Sequence, residues 1–152
     1  MTPTIPLQLA MVLERDGVRL RIDNPSDTAV RVWDLGNSWG GASWSLLLRT
    51  DGAAGRTFTL RPANQIYSRN IPRFIEVAPK GHHEIRLTPG AREWTTGEDS
   101  SSLRSATIHV RAVLEIASSP EATTHNVAIG RVESAEVPST PPHTWLFVAP
   151  GP

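Results

Sequence analysis

Apolar and polar residues alternate along most of this chain with a period of two. The apolar side chains that share one face in each stretch are Leu7, Leu9, Met11 and Leu13; Val18, Leu20 and Ile22; Val30 and Val32; Trp44, Leu46 and Leu48; Phe58 and Leu60; Ile75 and Val77; Ile85 and Leu87; and Ile108, Val110, Ala112, Leu114 and Ile116. Successive side chains of a strand point to opposite faces, so this pattern is typical of half-buried strands in antiparallel sheets. No window shows a helical stripe with caps. The alternation therefore predicts an all-β chain.

Turn-forming residues separate these stretches. The segments are Asn24-Pro25-Ser26-Asp27, Asp51-Gly52, Pro79-Lys80-Gly81, Thr88-Pro89-Gly90 and the polar connection at 118–126. Eight to ten short strands with turns between them are typical of an antiparallel sandwich or barrel. Gly130 shifts the apolar phase by one residue, which indicates a β-bulge or a close backbone approach.

One domain accounts for nearly the whole length. We assign residues 1–137 to a β domain and residues 138–152 to a proline-rich tail, since three of the five residues from Pro138 to Pro142 are proline. The apolar segment 144–148 follows these prolines. It is predicted to add a terminal edge strand or to dock onto a partner.

Composition narrows the classes of function. The 152 residues contain no cysteine, which excludes thiolate zinc sites and iron–sulfur clusters. Fifteen basic residues balance fifteen acidic ones, an argument against a general nucleic-acid binder or an electrostatic membrane-surface protein. Fourteen of the fifteen basic residues are arginine, and most alternate with apolar residues, as solvent-facing strand positions do. No secretory signal or membrane-spanning stretch is visible, so a cytoplasmic location is expected.

Neither a catalytic nor a metal motif stands out. The chain lacks a Gly-x-Ser-x-Gly elbow, a Walker loop and a His-Glu-x-x-His motif. His82 and His83 would point to opposite faces of a strand, and His82 with Glu84 supplies only half of a metal site. We therefore expect no catalytic residue, no metal and no cofactor.

Trp39 is the first candidate for binding. It follows Asn37 and Ser38 in the glycine-rich segment 36–41, where no alternation assigns it to the core. An exposed tryptophan on a loop is typical of an interaction hot spot. The alternative is that the loop folds over one end of the domain and Trp39 plugs it. Trp33 shares its predicted face with Arg31, so it is exposed unless another segment covers that face, whereas Trp44 and Trp94 are predicted core residues.

A second candidate segment contains Tyr67, Arg69 and Asn70. Arg69 could present its guanidinium to a carboxylate of a partner. Asn70 could contact the partner as well, or bond the backbone and hold the turn.

The chain resembles one family over residues 18–116. The Asn-Pro-Ser-Asp turn (24–27), the strand and turn from Trp44 to Gly52, the Pro79-Lys80-Gly81 turn and Trp94 are similar to features of bacterial immunoglobulin-like domains of the intracellular proteinase inhibitor type. Arg69 near Tyr67 loosely matches the basic-aromatic segment of that family. The resemblance implies an immunoglobulin-like β-sandwich.

We therefore expect a non-catalytic module that binds a protein partner, either as an inhibitor or as an immunity-type protein that occludes an enzyme. Its candidate binding residues are Asn37, Ser38, Trp39, Tyr67, Arg69 and Asn70. The alternative is a structural or assembly subunit that pairs through a sheet edge or its C-terminal strand, with a homo-oligomer as one outcome. An enzyme is the least favoured class.

Overall fold

Antiparallel β-structure dominates the protein. The computed structural model describes residues 3–35, 37–51, 55–63, 70–90 and 94–147. Its strands are β1 (Gln8–Glu14), β2 (Gly17–Asp23), β3 (Val30–Trp33), β4 (Trp44–Thr50), β5 (Thr57–Pro62), β6 (Phe74–Val77), β7 (His82–Leu87), β8 (Trp94–Thr95), β9 (Ile108–Ile116), β10 (Gly130–Glu133) and β11 (Val137–Ser139). All paired strands run antiparallel within the described ranges. The predicted all-β class is confirmed.

The strands form three sheets. A three-stranded sheet has the order β1-β2-β7, and β3 pairs with β6 in a two-stranded sheet. A six-stranded sheet has the order β10-β9-β4-β5-β8, with β11 also paired to β9. The central pair of this sheet is β4 with β9, in a register that places Leu46 opposite Ala112.

The inward faces of these sheets meet in a single core. Residues of β1 and β2, such as Leu9 and Leu20, belong to the same buried cluster as Leu46 of β4 and Val110 of β9. The alternation predicted from the sequence is confirmed in these strands, because the apolar positions are more buried than the intervening ones, with the exception of Val113 in β9, which is buried on the other face. Trp94 is partly buried and packs against the core.

The N-terminal segment joins the six-stranded sheet at Gly130. The backbone N–H of Arg131 donates to the Pro3 carbonyl (2.8 Å), and the Ile5 N–H donates to the Arg131 carbonyl (3.1 Å). Gly130 has a φ of 137°, and a Cβ at this position would lie 2.3 Å from the Pro3 carbonyl oxygen. The predicted close approach of backbone at Gly130 is confirmed, since only glycine fits there.

Three short helices interrupt the strands. The α1 helix (Ser38–Ser43) corrects the prediction of a loop at 36–41, and the α2 helix (Pro120–Thr124) lies inside the predicted polar connection. A 3-10 helix spans Ser101–Arg104. Local caps explain both α-helices: side chains of Asn37 and Ser119 accept backbone N–H groups of the first turns. Nowhere in the described ranges is a helix long and apolar enough to cross a membrane.

The C-terminal residues pack on the body of the protein. The β11 strand pairs with β9 through Val137↔Val110 and Ser139↔Ile108. The prediction of an edge strand at 144–148 is wrong for its described residues, 144–147, which form turns. Trp145 is buried there, because its indole reaches into the core rather than alternating along a strand.

Candidate functional site

A cleft of about 260 Å³ lies beside α1, on the outer face of the six-stranded sheet. Its lining includes Trp33 and Trp39 together with Ser45 of β4, Arg61 of β5 and the Glu115–Arg131 pair of β9 and β10. Ser45 and Glu115 lie between buried residues of their strands, and Arg61 and Arg131 each follow a buried residue, which explains why the four point outward. The cleft thus combines an aromatic wall with charged side chains.

The α1 helix is held at its first turn by two asparagines. Asn37 is buried; its Oδ1 accepts from the Gly40 N–H (2.9 Å) and its Nδ2 donates to the Arg73 carbonyl (3.3 Å). Asn70 accepts from the backbone N–H of Ser38 and donates to Ser38 Oγ, both at 2.9 Å. These bonds fix a short helix whose two glycines would otherwise disfavour it.

Trp39 packs on an aromatic cluster that consists of the buried Trp33 and the partly buried His125 and Phe74. Its ring centroid lies 5.8 Å from that of Trp33, which in turn contacts His125 at 6.1 Å. The His125 ring also lies 5.9 Å from Phe74, and the Arg31 guanidinium stands 4.3 Å above the Phe74 ring. Tryptophan rings in such tilted or edge contacts stabilise one another beyond their burial.

This packing decides how exposed Trp33 and Trp39 are. Trp33 is 1% exposed, so the alternative of a covered face is the one that holds: α1 and the end of α2 cover the face that it shares with Arg31. Trp39 is half-buried on a helix rather than exposed on a loop, and it covers Trp33 while still lining the cleft. Trp44 is buried as predicted, and its Nε1 donates to the Trp33 carbonyl (3.2 Å).

The charged wall of the cleft is partly neutralised. Arg131 Nη1 lies 2.6 Å from Glu115 Oε2, and its Nη2 lies 3.1 Å from Glu133 Oε1. The hydrogen bond that Arg131 donates to Glu115 is the main reason that the pKa of Arg131 is raised, and Glu133 adds to it. Arg61, by contrast, has no ion-pair partner among the described residues.

Four of the six residues predicted from the sequence come together here. Asn37, Ser38, Trp39 and Asn70 all belong to α1 or its clamp, although Asn37 is buried and Asn70 is bonded to Ser38. Tyr67 and Arg69 lie outside the described residues. Sequence reasoning missed five residues that line the cleft or join its aromatic cluster: Trp33, Arg61, Glu115, His125 and Arg131. The only signal for Arg61 was its solvent-facing position after Leu60.

The histidines do not assemble a metal site in the described part of the chain. His82 and His83 face Asp23 and Ile22 across the β2–β7 pair and therefore point to opposite sides, as expected. Across the ranges given above, no three His, Asp or Glu side chains group as metal ligands would.

A buried Ser–His–Trp chain of hydrogen bonds lies outside the cleft. Ser139 Oγ lies 2.6 Å from His143 Nδ1, and Trp145 Nε1 donates to the same Oγ (2.8 Å). His143 Nε2 is 2.7 Å from the Ala106 carbonyl oxygen, so it donates there and Nδ1 accepts from Ser139. The three side chains are nearly inaccessible to solvent. This arrangement fastens the C-terminal segment to the body of the protein.

Comparisons of the chain with models of protein families, with curated proteins and with solved structures find no match. The functional conclusion therefore depends on the contacts within the cleft and on the order of the strands.

Proposed function

We propose that this protein is a non-catalytic protein-binding module built on an immunoglobulin-like β-sandwich, and that the cleft beside α1 is its binding surface. The single observation that carries the proposal is the half-buried Trp39, which is held rigidly against Trp33 and still lines an open cleft. Tryptophans in such positions are enriched among the residues that dominate protein–protein binding energy.

Strand order supports the immunoglobulin-like sandwich. In that fold the first two strands share a sheet with the fifth, and the third strand shares the other sheet with the sixth and seventh. Here β1 pairs with β2 and β2 with β7, while β4 lies next to β9 and β9 next to β10. The buried Trp44 on β4 corresponds to the tryptophan that such domains carry on their third strand. The β1-β2-β7 sheet and the six-stranded sheet also share one core.

The hydrogen bonds that hold α1 favour a binding role over the alternative that this segment only covers one end of the domain. Ordering a flexible loop on association costs free energy, roughly 0.5–1.5 kcal/mol for each side chain that is immobilised. The asparagine contacts at Asn37 and Asn70 already order the backbone around Trp39 in the free protein. A partner that packs on the exposed part of Trp39 would therefore meet a preorganised surface.

Within this class, an inhibitor or immunity-type role is our specific proposal. The resemblance of residues 18–116 to intracellular proteinase inhibitors supports it, and paired sheets give a binding surface a fixed base against a partner enzyme. The assembly alternative stays a prediction for the β7 edge. Assembly through the C-terminal strand has less support, because residues 144–147 are folded onto their own chain.

Site-specific cross-linking tests the proposal. A photoreactive residue replaces Ala42, which is exposed and lines the cleft, or Val12, which is 47% exposed on the outward side of β1. Each full-length protein is incubated with lysate of its source organism. We expect one cross-linked protein from position 42, none from position 12, and loss of that product when Trp39→Ala is added to the position-42 protein.

Two results would contradict the proposal: equal cross-linking from positions 42 and 12, or an undiminished product with a folded Trp39→Ala variant. Circular dichroism and urea unfolding establish that the variant is folded. If the captured protein is an enzyme, adding the wild-type module should lower its activity, and the Trp39→Ala variant should not.

A further inference from the structure

We propose that Arg61 binds a carboxylate of the partner inside the cleft, so that the partner's contact is an Asp or Glu side chain next to an apolar one. The inference rests on the proposed function, since it names the chemistry of the residue that enters the same cleft. In this arrangement the apolar neighbour packs on Trp39 while the carboxylate reaches Arg61.

Charge pairing on the outer face of the sheet singles out Arg61. Arg49 forms a two-bond pair with Glu136 (3.0 and 3.1 Å), and Arg131 is held by Glu115 and Glu133. The arginines and carboxylates of this face therefore largely satisfy one another. Arg61 shares the face but has no carboxylate within 4.0 Å in the described ranges.

The sheet register explains why Arg61 lacks a carboxylate partner. Its cross-strand neighbour on β8 is Thr95, which is uncharged. Ser45, the nearest cleft-lining residue of β4, is uncharged as well. The acidic residue that follows β8, Glu98, lies 3.1 Å from Arg56 instead. Among the described side chains, nothing acidic is placed to neutralise Arg61.

The balance of charges in the lining favours one negative charge in the occupant. Arg131 is held by Glu115 and by Glu133, so Arg61 carries the positive charge of the lining that no described carboxylate pairs. A single carboxylate complements this charge, and the planar guanidinium can hold it with two parallel hydrogen bonds. A doubly charged phosphate would meet repulsion from Glu115 in the same wall.

The aromatic wall of the cleft is where the apolar residue of the partner packs. Trp33 and Trp39 form one side of the cleft, and the small side chains of Ala42 and Ala117 leave space beside them. Partial enclosure by apolar groups strengthens an ion pair because it removes water from around it. An acidic residue with an apolar neighbour matches both Arg61 and the aromatic wall of the cleft.

Binding of small probes tests the inference on the full-length protein. The probes are 3-phenylpropionate, which offers a ring and a carboxylate, and its neutral amide, 3-phenylpropionamide. Indole N–H signals in NMR spectra of the ¹⁵N-labelled protein report their binding. We expect the carboxylate to bind about fivefold more tightly than the amide, as a charge-assisted hydrogen bond would provide. Arg61→Gln should remove this preference and leave the amide affinity within about twofold.

Arg15→Gln is the matched control. Arg15 is exposed in the β1–β2 turn, lies outside the lining of the cleft and has no described ion pair. This variant should keep the full preference for the carboxylate. The inference is overturned if wild-type protein binds both probes equally, if neither probe shifts an indole signal at millimolar concentration, or if Arg61→Gln retains the preference.

Cross-linking with the partner separates this inference from the proposed function. Arg61→Gln, placed in the position-42 photoreactive protein, should greatly reduce the cross-linked product. If Trp39→Ala abolishes the product but Arg61→Gln does not, the binding module stands and the carboxylate inference fails. If neither variant reduces it, both proposals fail.

Discussion

The side-chain amide of Asn70 forms two hydrogen bonds with Ser38: its Oδ1 accepts from the Ser38 backbone N–H, and its Nδ2 donates to Ser38 Oγ. The two residues are 32 positions apart in the chain, yet this pair of 2.9 Å bonds holds the start of α1. Asn70 thus uses its hydrogen-bonding groups within its own chain, as the structural interpretation of this residue expects. Under the proposed function, Asn70 contributes by positioning Trp39, the residue next to Ser38.

Asn70→Ala should loosen α1 more than Ser38→Ala does. The first substitution removes both hydrogen bonds, whereas the second leaves the bond to the Ser38 backbone in place. We expect losses of about 1–2 kcal/mol in the free energy of unfolding for Asn70→Ala and less than about 1 kcal/mol for Ser38→Ala. Urea unfolding measures both, and amide exchange at residues 38–40 should accelerate mainly in Asn70→Ala. Equal losses would show that the backbone bond contributes nothing.

Gly40→Ala should displace α1 from the sheet. A Cβ on Gly40 would lie 1.6 Å from the Asp34 carbonyl oxygen, a backbone atom that cannot move without shifting the chain. We expect a loss of about 1–3 kcal/mol in stability, or more if the strand end at Asp34 is displaced too. Tryptophan near-UV circular dichroism should change at the same time, because Trp39 would lose its contact with Trp33. Ala42→Ser, on the exposed side of the same helix, is the control and should alter neither signal.

Ser139→Ala should destabilise the C-terminal segment. The substitution leaves two buried groups without a partner, His143 Nδ1 and Trp145 Nε1–H. Each buried group that loses its hydrogen bond costs about 1–3 kcal/mol. Thr140→Ala, at the exposed neighbouring position, should change the urea midpoint little. A Ser139→Ala variant as stable as wild type would mean that water replaces the hydroxyl.

Stability should depend on pH through the Arg49–Glu136 pair. The pKa of Glu136 is lowered, chiefly by the hydrogen bond from Arg49, and the charges of Arg49, Arg111 and His109 act in the same direction. Because the folded-state pKa lies below the unfolded one, the stabilisation is complete above the unfolded pKa. It is lost as the pH falls through the folded-state pKa.

We therefore expect Glu136→Gln to destabilise the protein at pH 7 and to have progressively less effect below about pH 4, near the ordinary glutamate pKa. Urea unfolding at pH 7 and at pH 3 measures the difference. Glu84→Gln is the control, since Glu84 is exposed and has no ion pair among the described residues. An effect of Glu136→Gln that is unchanged at pH 3 would contradict a role for the carboxylate's charge.

Local residue patterns were sufficient to predict the main strands. Alternation in β1, β2, β4 and β9 identified which side chains face the core, because a strand has only two faces and one of them must be buried. The phase shift at Gly130 likewise indicated a close approach, and Pro3 provides it. These features depend on neighbours within a few residues, so a single sequence displays them.

Contacts between distant segments decided the candidate site. Asn70 and Ser38 are 32 residues apart, and Trp33 meets His125 across 92 positions. The helix at 38–43 forms although its glycines disfavour it, because tertiary hydrogen bonds and packing outweigh local propensity. The turn at 144–147 was likewise decided by burial of Trp145 rather than by its apolar composition.

By itself, the sequence determined that this protein is an antiparallel β-protein, which side chains of its main strands are buried, and that its arginines occupy outward-facing positions. Only the tertiary structure decided that Trp39 stacks on Trp33, that Arg61 lines the same cleft and that Glu115 already neutralises Arg131. The physical reason is the distance along the chain over which each feature is decided. Burial alternates with the local geometry of a strand, whereas a cleft depends on which side chains the folded sheets bring together from far apart in the chain.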